Sequence, residues 1–255
     1  MRLDLLLGLT AGGGTRDRSG LAPHKIFFFF GSAALLFIGI RAVRNALASK
    51  RAQALQNTAA TTGLTFGGEE WPDKGRAPML ETALFGKGRD HKIQNIAFGS
   101  SAGFRAGLFD YTFVQGGGRN SRRYTQTVAT FSKDGASLPY FELRPANFLS
   151  RAWDAVAHND IRFDANPEFT QRYVLRGALS EKVRELFTPG VVSFLEGLDA
   201  RKKWHIEGTG DTLVIYRSSK KVAPDNLRDF LDQTSAIASG FFSFAVSSTT
   251  VNAAN

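Results

Sequence analysis

Gly99-Ser100-Ser101-Ala102-Gly103 has the G-x-S-x-G spacing of a nucleophile elbow. In that arrangement Ser101 would attack an acyl carbon from a tight strand-to-helix turn, with a histidine base and an acid supplied later in the chain. His158 or His205, with Asp160 or Asp211, could complete such a set. The context argues against it. The adjoining segment, "FRAGLFDYTF", is aromatic and reads as a strand rather than a helix, and a Gly/Ser hairpin turn explains the same five residues. A membrane-tethered serine hydrolase using Ser101 stands as the alternative reading.

Other chemistry fails on spacing. The histidines, at 24, 91, 158 and 205, form no H-E-x-x-H or H-x-x-x-H pair on a helix face, and His158 with Asp160 and Asp164 reads as a helix end and polar turn. "LFGKGRD" lacks the upstream glycine and the Ser/Thr after lysine of a phosphate loop, and "GTGDTL" lacks a third glycine and a following helix. Glu69-Glu70 lies in a turn-rich loop, a poor place to raise a carboxyl pKa. The chain has no cysteine, which removes disulfides, thiolate nucleophiles and thiolate metal sites. No catalytic residue, cofactor or metal ligand is assigned.

Two basic clusters lie beside aromatics: Arg119, Arg122 and Arg123 by Tyr124, and Arg201, Lys202 and Lys203 before Trp204. Such combinations can bind single-stranded nucleic acid by stacking and charge, a second alternative. They are also what solvated loop ends look like. The net charge of +9 does not favour nucleic acid, because it is unevenly spread. Residues 1–51 hold eight Lys/Arg against two Asp/Glu (+6), while the remaining 204 hold 24 against 21 (+3). The basicity gathers around one apolar stretch, so no nucleic-acid partner is expected.

That stretch, "KIFFFFGSAALLFIGIRAVR", is uncharged from Ile26 to Ile40, about 22 Å of helix at roughly 1.5 Å per residue. Lys25 and Arg41 can snorkel outward at its ends and bring Ala42 and Val43 into a span. It has no polar stripe, as a soluble amphipathic helix would. Ala46-Leu47-Ala48 imitates a signal-cleavage site, but Arg41 and Arg44 stand between it and the apolar run, where signals are uncharged. The expectation is a transmembrane helix over residues 25–43, with Phe27, Phe28, Phe29, Phe30, Leu35, Leu36, Phe37 and Ile38 membrane-embedded. Arg41, Arg44, Lys50 and Arg51 come next without an intervening acid and are expected to contact anionic lipid headgroups. Their position favours a cytoplasmic C-terminal domain.

The elements around these residues come from pattern. Residues 1–24 read as a flexible arm, and 44–62, rich in helix formers, as a helical stalk ended at Thr61-Thr62-Gly63. Residues 67–79 read as a loop. Strands are expected at 92–98, 104–113, 123–131 and 140–144, and short strands in "DIRF" and "RYVL". On 104–113 the apolar phase switches at Leu108–Phe109, which implies a bulge or a strand covered on both sides. Helices are expected over 145–158, from an N-cap at Ser180, after Pro189, and from Pro224 or Asp225 onward. "KWHIEG" and "DTLVIYRS" read as a hairpin. The domain spans 63–246, with a frayed tail at 247–255. Because strands and helices do not alternate as βαβ, the class is α+β with a mainly antiparallel sheet.

"LFDYTF" (108–113), "TVATF" (127–131), "LPYFELRP" (138–145), "DIRF" (160–163), "PEFTQRYVLRG" (167–177) and "VRELF" (183–187) together resemble a set of uncharacterised bacterial single-pass membrane-anchored proteins with an aromatic-rich cytoplasmic domain. The resemblance implies an N-terminal apolar helix followed by a mixed domain, and no catalytic residues. The anchor with its basic flank and the lack of an intact catalytic constellation make the expected function a single-pass membrane-anchored binding or scaffold protein that recruits or braces a partner. Its partners would be the bilayer and another membrane or membrane-associated protein.

Overall fold

Leu108 and Phe109 are neighbours on one strand, β3 (Phe104–Gln115), and both are fully buried. Successive strand residues point to opposite faces, so this requires a sheet covered on both sides. The computed structural model describes residues 23–71, 76–146 and 160–252, with side chains for 37–71, 78–146 and 160–243. Among the described residues, eight strands form one antiparallel sheet. They are β1 (Leu64–Gly68), β2 (Arg89–Ser101), β3, β4 (Arg122–Ser132), β5 (Leu138–Pro145), β6 (Tyr173–Gly177), β7 (Trp204–Gly210) and β8 (Thr212–Arg217). Their spatial order is β1-β2-β3-β4-β8-β7-β5-β6. β3 and β4 pair without a break from Arg105–Ser132 to Gln115–Arg122. In the β2–β3 ladder the irregularities fall on β2, between Arg89 and Lys92 and between Gln94 and Ala97. The phase switch on β3 therefore reports cover on both faces, and no bulge lies there.

One face carries Phe104, Ala106, Leu108, Phe131, Phe141, Leu143, Ile206 and Ile215 against helices. These are the end of α1 (Pro23–Thr62), then α3 (Pro167–Arg172), α4 (Ser180–Leu186), α5 (Pro189–Glu196) and α6 (Leu227–Asn252). Their apolar stripes supply Leu55, Phe169, Val183, Leu195, Phe230 and Phe241. Gly208 admits the Phe141 ring, because a Cβ there would lie 2.2 Å from it. The other face carries Ile96, Phe109, Tyr111, Phe113, Val128, Val214 and Tyr216. It is roofed by a single strap, residues 76–88, which opens with the short helix α2 (Arg76–Leu80) and contributes Met79, Leu84 and Phe85.

The α+β class and the mainly antiparallel sheet hold, with local differences. "DIRF" makes only an isolated bridge, Asp160 to Arg176. Ser180 is the first helical residue of α4, and Leu179 occupies the cap position. β1 (64–68) and α2 (76–80) overlap the two ends of residues 67–79, which read as loop. Of the helix expected at 145–158, Pro145 instead ends β5 and Ala146 is not helical, while residues 147–158 lie outside the described residues, which resume at Asp160.

The chain separates into two compact units, the second beginning at Ser49. In the first, every described side chain, from Phe37 to Ala48, is exposed. Phe37 (66%), Ile38 (61%), Val43 and Leu47 are among them. Among the described residues no helix is long and apolar enough to cross a membrane. The side chains of Ile26–Leu36, which carry most of the expected span, and the arm before Pro23 lie outside the described residues. The expected stalk is revised at its end. α1 does stop at Thr62, with Gly63 at φ +77°, but Arg51, Leu55 and Ala59 are buried within the second unit.

Candidate functional site

Between the strap and the sheet lies a pocket of about 580 Å³, lined chiefly by Trp71, Phe85, His91, Ile93, Ile96 and Tyr111. The alternation of β3 places Tyr111 on its floor, flanked by Phe85 at 4.6 Å and Phe113 at 5.7 Å between ring centroids. Trp71 forms one wall and meets Phe109 edge-on at 5.0 Å and 88°. It fits because β3 carries Gly107 beneath it, where a Cβ would lie 2.6 Å from the indole and 2.7 Å from the Thr130 hydroxyl. His91 of β2 stands 6.0 Å from Tyr111. Leu80 of the strap is 43% exposed, while Glu69 and Lys92 face each other across 3.8 Å, an exposed pair of little energetic weight. The Tyr111 hydroxyl is buried and finds no hydrogen-bond partner among the described residues. Burial, with the charge of Glu207 adding to it, pushes this phenol up to about 12. The pocket thus combines aromatic walls with the exposed polar residues Glu69, His91 and Lys92 and one buried hydroxyl that finds no partner, the mix of apolar lining and a few polar groups that small-ligand sites have.

The strap is tied down by a carboxylate. Glu207 of β7 is fully buried (0% exposed), accepts the Leu84 backbone N–H at 2.8 Å and accepts the Tyr216 hydroxyl at 2.7 Å. Lys87, also on the strap, lies 3.8 Å from Glu207 and donates to Glu142 at 2.8 Å. Burial pushes the Glu207 carboxyl up, against the opposing pull of Lys87 and the two hydrogen bonds. His205, next to it, stacks on Tyr216 at 4.8 Å, and burial with the charge of Lys87 lowers its imidazole to about 4.

On the opposite face a second buried network joins α1 to the sheet. Arg51 (5% exposed) grips Asp110 of β3 with Nε and Nη2 at 3.0 and 2.7 Å, and its Nη2 also donates to Thr127 Oγ1 at 2.9 Å. Asp110 further accepts from Thr127 Oγ1 and from Asn95 Nδ2, each at 3.1 Å, and lies 3.1 Å from Lys221. Asn95 reaches it from a left-handed conformation, φ +54°, at the irregular stretch of β2. Asparagine adopts that region more readily than most residues. Burial alone would raise the Asp110 carboxyl, but the hydrogen bonds and charges of Arg51 and Lys221 outweigh it and hold the group below the usual range.

These geometries place several expected residues. Arg51, expected at the lipid surface, is inside the domain and fully engaged, so it is not available to headgroups. Arg41, Arg44 and Lys50 are exposed on α1. Phe27, Phe28, Phe29, Phe30, Leu35 and Leu36 lie outside the described side chains. Ser101 ends β2 and pairs with Phe104 across a two-residue turn, Ala102 (φ +53°) and Gly103 (φ +80°). The G-x-S-x-G pentapeptide is therefore a hairpin turn between strands, without the helix that an elbow needs. His24 and His158 lie outside the described side chains. Sequence reasoning did not find Glu207 or Asp110 as network centres. The available signal was an acid set among apolar neighbours, in "WHIEGTG" and "GLFDYTF".

Together these features define an antiparallel α+β domain with both sheet faces covered and an aromatic pocket under a strap. No family model matches the sequence, and no curated protein matches it. Among solved structures, the chain is similar to the mycobacterial trehalose monomycolate transport factor A, TtfA, with a TM-score of 0.51. The match covers 76% of this chain and 93% of that one at 9% identity, so the likeness is one of fold.

Proposed function

We propose that this chain is a single-pass membrane-anchored, non-catalytic binding protein that recruits or braces a partner at the membrane. Its domain would lie on the cytoplasmic side and receive an apolar group of the partner in the pocket beneath the strap. The observation that carries the reading is the pocket itself: about 580 Å³, walled by aromatic rings, with a buried hydroxyl left idle on its floor. The apolar stretch Ile26–Ile40 and the exposed Phe37, Ile38, Val43 and Leu47 support the anchor, since such a surface is stable in lipid and costly in water. Arg41, Arg44 and Lys50 would then sit at the headgroups. The shared fold with a protein named for transport agrees with a place beside a membrane transport system.

A photo-reactive residue at Leu80, on the strap beside the pocket, tests the proposal in intact membranes. The expected result is one defined protein adduct that disappears when Ile93→Trp fills the pocket. An adduct of unchanged yield in that variant would overturn the pocket's role. The reading leaves Ser101 without a catalytic task, so a Ser101→Ala chain should match the parent in a broad esterase and peptidase screen. Hydrolysis that vanishes in Ser101→Ala would replace it with the hydrolase reading.

A further inference from the structure

Where β7 begins and β8 ends, a second pocket of about 350 Å³, which shares no lining residue with the aromatic pocket, gathers positive charge. Its lining includes Arg201, Lys202, Lys203, Arg217 and Lys220, together with His205. The cations arrive from two places that only the β7–β8 pairing joins. Arg201, Lys202 and Lys203 come from the short 3-10 turn that leads into β7, while Arg217 and Lys220 lie at the end of β8 and beyond it. Trp204 pairs with Arg217 across the ladder, which sets the two groups side by side. Asp199 holds Arg201 through its side chain at 3.0 and 3.1 Å, and among the described residues no acid lines the pocket itself.

Three further observations distinguish this pocket from an ordinary basic surface. His205 Nδ1 and Arg217 Nε are buried and have no hydrogen-bond partner among the described residues. Arg217 is held in place, its guanidinium 5.5 Å from the ring centroids of both Trp204 and Phe230. Lys203 and Ser219 take left-handed backbone conformations, at φ +53° and +57°, rare for residues with a side chain. Like charges crowded around a concavity repel each other, and the buried Arg217 Nε–H without an acceptor is unfavourable, as is the His205 Nδ1 left without a partner. One kind of ligand relieves both at once: a group with several anionic oxygens, which lysines neutralise as point charges and arginine can grip through paired N–H donors.

We propose that this pocket is a binding site for a phosphate group, carried either by a lipid headgroup or by a small free phosphate compound. It is independent of the aromatic pocket and lies on different residues, apart from the sheet they share. The site would stand whether or not the strap pocket receives a partner.

The full-length chain in detergent micelles provides the test. Sodium pyrophosphate and dihexanoyl phosphatidylglycerol are titrated separately by calorimetry, while the His205 ring signal is followed by nitrogen-15 NMR and assigned by its loss in His205→Gln. At least one probe is expected to bind and to move the His205 signal. Lys202→Gln combined with Lys203→Gln should weaken that binding about tenfold or more, the loss of charge-assisted contacts. Lys220→Gln, at an exposed position that does not endanger folding, should weaken it in the same direction. Arg119→Gln with Arg122→Gln, basic residues on a different loop, should leave it unchanged. Pyrophosphate binding without the lipid points to a free phosphate compound, and the reverse points to a headgroup. The proposal fails if neither probe binds, if the His205 signal stays put during binding, or if the Arg119/Arg122 pair weakens binding as much as the pocket variants do.

Discussion

Asp110 carries two opposed demands: burial disfavours its charge, and Arg51, Lys221, Asn95 and Thr127 supply the contacts that retain it. Removing one side of such a pair leaves the other buried and uncompensated, which costs about 3–5 kcal/mol. Arg51→Met is expected to destabilise the domain by that amount in urea unfolding. Its effect should shrink when Asp110 is also replaced by Leu, because the orphaned charge is then gone. The pH dependence has a definite sign. With its folded pKa lowered, Asp110 contributes stability above its unfolded pKa that is lost as pH falls through the folded value. Glu207 acts oppositely: its raised pKa contributes stability at low pH that is lost as pH rises through the folded value. Unfolding midpoints across acid to neutral pH should show Asp110→Asn flattening the acid loss and Glu207→Gln flattening the loss on the way up. Tyr111→Phe should be neutral or stabilising by about 1 kcal/mol, since it deletes an unsatisfied buried hydroxyl. A large destabilisation in thermal unfolding would mean that the hydroxyl has a partner in the folded protein.

At the scale of elements, the strap and β3 together make the pocket. β3 can bear Trp71 above it only because Gly107 leaves room. Gly107→Ala would place a Cβ 2.6 Å from the indole, so the ring must move off the wall. The expected outcome is a red-shifted tryptophan emission and a loss of about 1–3 kcal/mol from overpacking and the disturbed edge-on contact with Phe109. An unshifted spectrum would show that the strand gives way instead of the ring. The patterning of β3 was legible as a strand with either a bulge or cover on both faces, and the buried Leu108 and Phe109 in unbroken pairing with β4 decide for the cover. The strap was not legible. Residues 67–79 are rich in turn formers, and nothing local shows that Met79, Leu84 and Phe85 will find a sheet face to cover.

For the whole molecule, α1 is the element with two environments. Its residues from Phe37 to Ala48 are exposed, while Arg51, Leu55 and Ala59 belong to the domain core. If residues 25–43 span a bilayer, alkaline carbonate should leave the full-length chain in the membrane pellet, and a chain lacking residues 1–43 should wash free. Release of the full-length chain would remove the anchor. Arg51, last in the basic series after the apolar run, shows how far composition reaches. Its type and position match Arg41, Arg44 and Lys50, and only the fold separates it from them.

The linear order of residues sufficed for the class of the domain, most of its strands and the end of α1 at Gly63, because these depend on side-chain period and local backbone preference. Tertiary structure alone decided that two single acids, Asp110 and Glu207, become centres of buried networks and that cations more than a dozen residues apart line one pocket. Those outcomes rest on contacts between segments distant along the chain, and the energy of burying or pairing a charge is set by neighbours that no local pattern names.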